Sequence, residues 1–320
     1  MTSWRKRAGN DDPETSYALY KLAWALEGQS KWSEAEGAYR EALASRRKRS
    51  GADDPQTLSE FENLARFFML QNKFGDADRV LEEALTPAVL SRPSSCNLLI
   101  KRRDIMGRQG RWQEAVAVAS LLVRYQPAEQ FHYHVLAALL ARTVNRPAYE
   151  ILCRKVLATF TDTRDPYIYE RIAKDCLFLP DSGVNLNLVD EFAEKSVSLG
   201  SSHPDAMPWF QVAKAMSEFR LGHFAEAIEW GEKTIKGSKI YPNAHACAVL
   251  AMAHWHLGQK DTARVMLAKG NSLTPNIPSI PEAVNLGDSW VAWLQARISL
   301  DEATGLIQPA SRTESNSQKP

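Results

Sequence analysis

In this sequence, two pairs of histidines have the spacing that comes closest to that of metal ligands. They read His132-x-His134 and His254-x-His256. Residues two apart on a helix point about 200° away from each other, so neither pair can hold one ion between its two rings. We therefore expect no metal site.

Nucleophilic chemistry has no support in the sequence either. No G-x-S-x-G turn accompanies a serine, and the four cysteines form no C-x-x-C pair. Scattered single cysteines are typical of small buried residues in a reducing compartment. We expect no catalytic residue, no cofactor and no enzyme activity. The cysteines expected to be buried are Cys96, Cys153, Cys176 and Cys247.

Three basic clusters, at residues 5–7, 46–49 and 101–103, have the charge needed to contact phosphates. Lysine and arginine at the end of a helix also complement its dipole, and the formal net charge of the chain is only +1. A nearly neutral chain has no overall field that draws it to nucleic acid. We do not expect a nucleic-acid partner, and RNA binding by a helical repeat stays as an alternative function.

The sequence also lacks the signals of a membrane protein. It has no run of about 18 consecutive apolar residues, and no apolar stretch follows the basic residues at its start. We expect a cytoplasmic protein with no membrane contact.

A recurring sequence module predicts the helices that position these residues. The module consists of a basic residue, an aromatic residue, two variable residues and alanine. It begins at Lys31, Lys73, Arg111 and His223, with a weaker copy at Lys260. Alanines 35 and 77 lie 42 residues apart, alanines 77 and 115 lie 38 apart, and alanines 227 and 263 lie 36 apart. Such a period is typical of stacked helix pairs, because one pair cannot bury its own apolar face. The module predicts an all-α repeat protein.

The first two units align at a shift of 42 residues. Residues 5–13 return as residues 47–55, and an Asp-Pro step opens each unit as a helix start. Apolar spacing predicts one helix from Glu14 to Glu27 and a second from Ser33 to Lys48. The chain opens where a preceding unit should be ending. We expect that the chain is the C-terminal piece of a longer array or of a multidomain protein. The alternative is a free-standing protein whose first half-repeat frays.

These two units resemble the tetratricopeptide repeat (TPR) family. Its small and bulky positions are occupied by Leu22-Ala23, Trp32, Ala35, Tyr39 and Ala42, and again by Leu64-Ala65, Phe74, Ala77, Leu81 and Ala84. The 42-residue period is similar to the longer variant found in kinesin light chain. The resemblance implies a solenoid of antiparallel helix pairs wound into a right-handed superhelix.

The repeats vary in quality along the chain. Residues 1–87 hold two TPR units, the first preceded by the end of a truncated unit, and residues 88–206 hold degenerate helix pairs. Residues 207–308 hold further TPR units and a last helix, and residues 309–320 form a polar tail that we expect to be disordered. Within the degenerate segment we predict helices at 129–142, 147–160, 165–179 and 185–199. The last helix, from Asp288, carries Trp290, Trp293 and Leu294 on one stripe and is expected to cap the open end of the stack.

The second half also resembles the C-terminal TPR regions of large bacterial serine/threonine kinases of planctomycete and verrucomicrobial type. The similar segments are residues 210–215, 248–254, 257–259 and 287–290. The resemblance implies, as an alternative function, a sensory or docking arm of a larger kinase or regulator. No catalytic residue is carried over, because the sequence has no Gly-rich loop, H-R-D loop or D-F-G motif.

The TPR resemblance also implies where a partner binds, since the first helix of each pair lines a concave groove in that family. The groove positions are Tyr17, Tyr20, Lys21 and Trp24 in the first unit, Ser59, Glu62, Asn63 and Arg66 in the second, and Lys101 and Asp104 in the third. Aromatic residues beside lysine or arginine are typical of binding hot spots. We predict a non-catalytic scaffold that binds a protein, as a peptide or a partner helix. The alternative for Tyr20 and Trp24 is packing against an upstream repeat.

Overall fold

The computed structural model describes residues 13–274 and 284–308. In these ranges every regular element is helical, with sixteen α-helices and two short 3₁₀ turns, so the predicted all-α helical-repeat fold is confirmed. The basic cluster at residues 5–7 and the predicted disordered tail lie outside the described residues. The chain divides into two compact units, unit 1 up to residue 127 and unit 2 from residue 128.

Unit 1 consists of three helix pairs and a single-turn helix. Its helices are α1 (Pro13–Gly28), α2 (Trp32–Ser50), α3 (Pro55–Leu70), α4 (Phe74–Ala84), α5 (Pro87–Leu90), α6 (Cys96–Arg108) and α7 (Trp112–Tyr125). The predicted Asp-Pro start is present at α3, where the Asp54 carboxylate accepts hydrogen bonds from the backbone N–H groups of Gln56 and Thr57. The predicted bounds of the first pair agree with α1 and α2 to within two residues.

Unit 2 consists of four helix pairs and a last helix. Its helices are α8 (Gln130–Arg142), α9 (Arg146–Thr159), α10 (Pro166–Asp175), α11 (Leu186–Leu199), α12 (Met207–Leu221), α13 (Phe224–Ile235), α14 (Ile240–His256), α15 (Lys260–Leu273) and α16 (Trp290–Ile307). Helix α10 ends before the predicted residue 179. Beyond its end, the Leu177 carbonyl accepts two hydrogen bonds from Arg220 on α12 in place of helical ones.

The recurring module forms the turn between the two helices of a pair. The residue before the second helix has φ between −79° and −85° and ψ between 61° and 69° in five pairs. In each case its carbonyl accepts a hydrogen bond of 2.9–3.1 Å from the backbone N–H of the module's alanine. These five alanines are fully buried, so a larger side chain has no room there. They are Ala35, Ala77, Ala115, Ala227 and Ala263.

A sixth turn has the same geometry but lies outside the sequence pattern. Asn145 has φ −83° and ψ 70°, and its carbonyl accepts a 3.0 Å bond from the N–H of Tyr149, which is fully buried. Tyr149 stands 34 residues after Ala115, where an alanine would complete the module. The α8–α9 pair has therefore lost the alanine and kept the turn.

The four cysteines are buried and unpaired, which confirms the prediction made for them. No helix in the described ranges combines the length and the apolar character needed to cross a membrane.

Each of these turns also contains one residue with left-handed backbone. Ser30, Asn72, Gly110, Val144, Gly222 and Gly258 have φ between 54° and 82°. Val144 is the β-branched residue of the set and is 74% exposed, so it has the strain of this conformation without compensating burial.

We predict that Val144→Asn stabilises the protein by about 1 kcal/mol, because asparagine tolerates left-handed backbone and valine does not. The measurement is the urea midpoint of unfolding followed by circular dichroism. Asn72→Val, the reverse change at an equivalent turn, should lower the midpoint. An unchanged or lower midpoint for Val144→Asn would show that the turn is not strained.

Candidate binding surfaces

Unit 1 presents an exposed aromatic and basic stripe on α1. Tyr17 is 58% exposed and Trp24 is 60% exposed, and Lys21 lies between them on the same helix face. The Lys21 ammonium lies 5.3 Å from the centre of the Tyr17 ring, a cation–π distance. We call Tyr17, Lys21 and Trp24 the α1 stripe.

A hydrogen-bonded group of three residues fixes α1 against α2 and α3. The Arg66 guanidinium donates to both oxygens of Glu27, at 2.9 and 2.7 Å, and to the Tyr39 hydroxyl at 3.0 Å. The Tyr39 hydroxyl donates to Glu27 at 2.8 Å. The hydrogen bond from Arg66 lowers the pKa of Glu27, while burial raises the pKa of Tyr39. Arg66, one of the predicted groove residues, is therefore held in an ion pair between α1 and α3.

Tyr20 is half-buried, and its ring centre lies 6.1 Å from that of Tyr39 on α2. It therefore packs inside unit 1, behind the α1 stripe.

The remaining predicted groove residues lie on α3 and α6. The positive charge of Lys101 lowers the pKa of Glu62, but burial has the larger effect and raises it. Asn63 is hydrogen-bonded to Glu60, whose pKa is also raised by burial. The Glu27–Arg66 contact and the Glu62–Lys101 interaction show that α1, α3 and α6 are successive neighbours, as the TPR pattern implies for first helices.

Two other predicted positions make local contacts. The Ser59 hydroxyl donates to the Pro55 carbonyl at 3.1 Å, and Asp104 accepts from the adjacent Arg103 at 2.8 Å.

Carboxylates of the same unit occupy the two described basic clusters. Arg47 pairs with Glu83, and Arg102 pairs with Asp78 at 2.8 Å. The end of α2 carries basic residues in its last turn, where they complement the helix dipole. These contacts favour the structural explanation of the clusters over phosphate binding.

The inner helices of unit 2 form a closed ring. They are α8, α10, α12, α14 and α16; each packs against the next, and α16 packs against α8. The predicted stripe on α16 is buried, with Trp290, Trp293 and Leu294 at most 2% exposed. The helix packs on the last pair, as a cap would, and it also reaches α8, which the sequence analysis did not predict.

Polar side chains of α16 contact polar side chains of the helices around it. Gln295 lies 2.7 Å from His134 Nε2 on α8, and the Ser299 hydroxyl lies 2.8 Å from His245 Nε2 on α14. Further along, Asp301 pairs with Arg142 at 2.6 Å, and Glu302 accepts from Arg220 at 2.5 and 2.7 Å. The inner side of unit 2 is therefore occupied by the chain's own last helix.

The histidines take part in packing and hydrogen bonding. Burial holds the pKa of His134 well below its ordinary value, with Lys174 and Arg171 lowering it further, and Nδ1 of His134 lies 2.6 Å from Asp175. His256 stacks on the Phe224 ring at 4.5 Å. Among the described residues no group of three or more His, Cys, Asp or Glu side chains is arranged to hold a metal ion.

Two segments of the chain match models of the tetratricopeptide repeat. They are residues 15–56, which contain most of α1 and all of α2, and residues 244–269, which span most of α14 and α15. These two segments are similar to tetratricopeptide repeats. Both matches lie outside residues 88–206, where the sequence predicts degenerate TPR units.

One solved structure supports the TPR fold. A tetratricopeptide repeat protein from Parabacteroides merdae is similar with a TM-score of 0.54 and 17% identity, over 90% of this chain and 99% of that one. The C-terminal part of a TPR repeat-containing protein from Cytophaga hutchinsonii is similar over 80% of this chain and 96% of that one, with a TM-score of 0.46 and 14% identity. None of the curated proteins matches the chain. At 17% identity the first similarity concerns the fold alone.

We predict that Glu27→Gln destabilises the protein by about 1.5–3 kcal/mol at pH 7, the range for a hydrogen bond to a charged group. The pKa of Glu27 is lowered by folding, so its contribution is present above the unfolded value of about 4.3 and is lost as pH falls through the folded value. The difference from wild type should therefore shrink at acid pH. Urea unfolding at neutral and acid pH measures it.

The matched control for this prediction is Glu36→Gln. Glu36 pairs with the exposed Arg40 four residues away and should contribute less than about 0.5 kcal/mol. Equal losses for the two variants would contradict the role given to Glu27.

We also predict that Gly270→Ala destabilises unit 2 by about 1–3 kcal/mol through overpacking. A Cβ at Gly270 would lie 2.7 Å from Leu300 Cδ2 on α16 and 3.1 Å from Cys247 Cβ on α14. In a Leu300→Ala background the cost should fall by about 1 kcal/mol or more, because the two sites are in contact. A double-mutant cycle of unfolding free energies measures this coupling.

Gly305→Ala on α16 is the control for steric contact. No atom lies within 4 Å of a Cβ there, so helix propensity alone should act, and the variant should be neutral or stabilising. Full additivity of Gly270→Ala and Leu300→Ala would mean that α16 is not seated against α15.

Proposed function

We propose that this TPR chain is a non-catalytic protein–protein interaction scaffold and that the α1 stripe of unit 1 binds its partner as a peptide. The observation that carries this proposal is the exposure of two large aromatic side chains, Tyr17 and Trp24, on either side of Lys21. Large exposed aromatics flanked by a cation are typical of interaction surfaces, because tyrosine and tryptophan supply much contact area at low entropic cost.

The stripe also indicates the chemistry of the partner. Two aromatic faces favour a large apolar or aromatic side chain, and the Lys21 ammonium favours a carboxylate near it. We therefore propose a segment in which an aspartate or glutamate lies close to a bulky apolar residue.

Rigidity of the surface supports the same proposal. The Glu27–Arg66–Tyr39 group holds α1 against its neighbours, so the stripe sits on a fixed frame. A surface that is ordered beforehand loses less entropy on binding.

The inner side of unit 2 does not offer an equivalent surface, because α16 fills it. The segments that resemble bacterial kinase arms contain buried packing residues, such as Phe210, Val249 and Leu250. That resemblance therefore concerns packing positions and gives the kinase-arm alternative no exposed surface. The four unpaired buried cysteines support a reducing compartment, and we propose the cytoplasm.

To test the proposal, peptides are selected from a random displayed library on the full chain, and their dissociation constants are measured by fluorescence anisotropy. We predict that the double variant Tyr17→Ala, Trp24→Ala weakens binding by about 100-fold or more, since two hot-spot residues are lost. Lys21→Glu should weaken acidic peptides most.

The matched control is Leu70→Ala, which removes a 56% exposed apolar side chain from α3 and should change the dissociation constant by less than about 3-fold. Selected peptides that bind the double variant as tightly as wild type would overturn the site. Binding of RNA with a steep loss of affinity in added salt would favour the RNA-binding alternative.

A further inference from the structure

Unit 2 contains a cavity beside the first turns of its inner helices. Its volume is about 370 Å³. An engineered apolar cavity of about 150 Å³ is known to hold benzene, so this one has space for an aromatic ring with a short side chain. Four aromatic residues line it, one from each of α8, α10, α12 and α14, and α16 contributes a further wall. They are Phe131, Tyr167, Trp209 and Tyr241.

A buried ammonium group forms part of the cavity wall. Lys174 is 1% exposed, and its Nζ lies 2.6 Å from Glu170 Oε1 and 4.8 Å from the centre of the Trp209 ring. An ammonium has three N–H donors. Among the residues that the structure describes, one carboxylate, that of Glu170, lies within ion-pairing distance of the Lys174 ammonium. Lys174 therefore keeps donor capacity for an acceptor that enters the cavity.

Arg171 adds a second cation to the same wall. Its guanidinium lies 5.1 Å from the centre of the Phe131 ring, and no carboxylate in the described ranges pairs with it. Glu170 offsets Lys174, and Asp288 lies exposed just before α16. Asp175, which contacts His134 behind the wall, is fully buried, and burial raises its pKa well above the ordinary range and so disfavours its charged form. His134 adds no charge, because burial and the two cations keep its pKa well below the ordinary range. The inner part of the cavity therefore carries one uncompensated positive charge, on Arg171.

We propose that this cavity is a binding site for a small aromatic monocarboxylate, with the carboxylate on Arg171 and Lys174 and the aromatic ring among Trp209, Tyr167 and Tyr241. A single negative charge matches the single uncompensated cation, whereas a doubly charged phosphate would leave one charge unpaired at a largely buried site. Aromatic walls favour a flat ring. The closed ring of inner helices favours a free acid over a segment of a longer chain.

The proposed site is independent of the peptide surface on unit 1. The two proposals concern different units, different residues and different ligands. A variant that removes one binding activity should leave the other unchanged, so failure of either proposal can be recognised separately.

The test is isothermal titration calorimetry on the full chain with indole-3-propionate. Indole-3-propionamide is the matched ligand, because it has the same ring and chain without the charge. We expect the acid to bind at least about 10-fold more tightly than the amide, the effect of one charge-assisted contact. Arg171→Met should remove that preference by weakening the acid about 10-fold and leaving the amide unchanged.

Arg164→Met is the control variant, since Arg164 is an exposed arginine just before α10 and outside the cavity lining. It should leave the dissociation constant of the acid within about 2-fold of wild type. Tyr167→Leu, at the rim, should weaken acid and amide alike and gives a second variant if Arg171→Met fails to fold, which circular dichroism would show.

Three results would overturn the proposal. They are no binding of the acid at concentrations up to about 10 mM, equal affinity for acid and amide, or an unchanged affinity of the acid in folded Arg171→Met.

Discussion

The close approach of two helices at one small buried residue is the constraint on which both units depend. After each turn of the recurring module, an alanine with no exposed surface lies in the first turn of the second helix, which packs against the first helix of the pair. The turn is held by the alanine's own N–H, which bonds to the carbonyl four residues earlier. Gly231 and Gly270 extend the same constraint to contacts between neighbouring helices, since an added Cβ would lie under 3 Å from Leu250 and Leu300. Pairs built in this way present their first helices on a common inner side.

The two units differ in what covers that inner side. In unit 1 the face of α1 stays exposed, whereas in unit 2 the chain's last helix fills the space and meets α8 again. Full burial of a large apolar side chain contributes about 1.5–3 kcal/mol, so the stripe of Trp290, Trp293 and Leu294 alone stabilises α16 by about 5 kcal/mol or more. The ion pairs of Asp301 and Glu302 fix its register along the ring. A partner helix would have to replace all of these contacts. For this reason we propose partner binding at unit 1 and small-ligand binding in the cavity that α16 leaves open.

Local features of the fold could be predicted from the sequence, and distant contacts could not. The module, the Asp-Pro starts and the apolar spacing depend on neighbouring residues, so the helix bounds and the buried alanines followed from them. The two helices on either side of Asn145 were predicted, but their turn was not recognised as a copy of the module, because Tyr149 replaces the alanine that marks it. The return of α16 to α8 depends on contacts such as Gln295–His134, which join residues 161 positions apart. The residues of the α1 stripe followed from the TPR resemblance, whereas the Glu27–Arg66 pair joins two helices and gave no local signal that Arg66 would be held inside the unit. The cavity in unit 2 needs side chains from five helices and has no motif.

Hydrogen–deuterium exchange of the full chain, with and without a selected partner peptide, tests the difference between the two inner sides most directly. Exchange of a buried amide requires the element that contains it to open. We expect the amides of α16 to exchange as slowly as those of α14 and in the same cooperative step, and we expect the peptide to slow exchange in α1 and leave α16 unchanged. Rapid exchange throughout α16, or protection by the peptide of the inner helices of unit 2, would contradict the account.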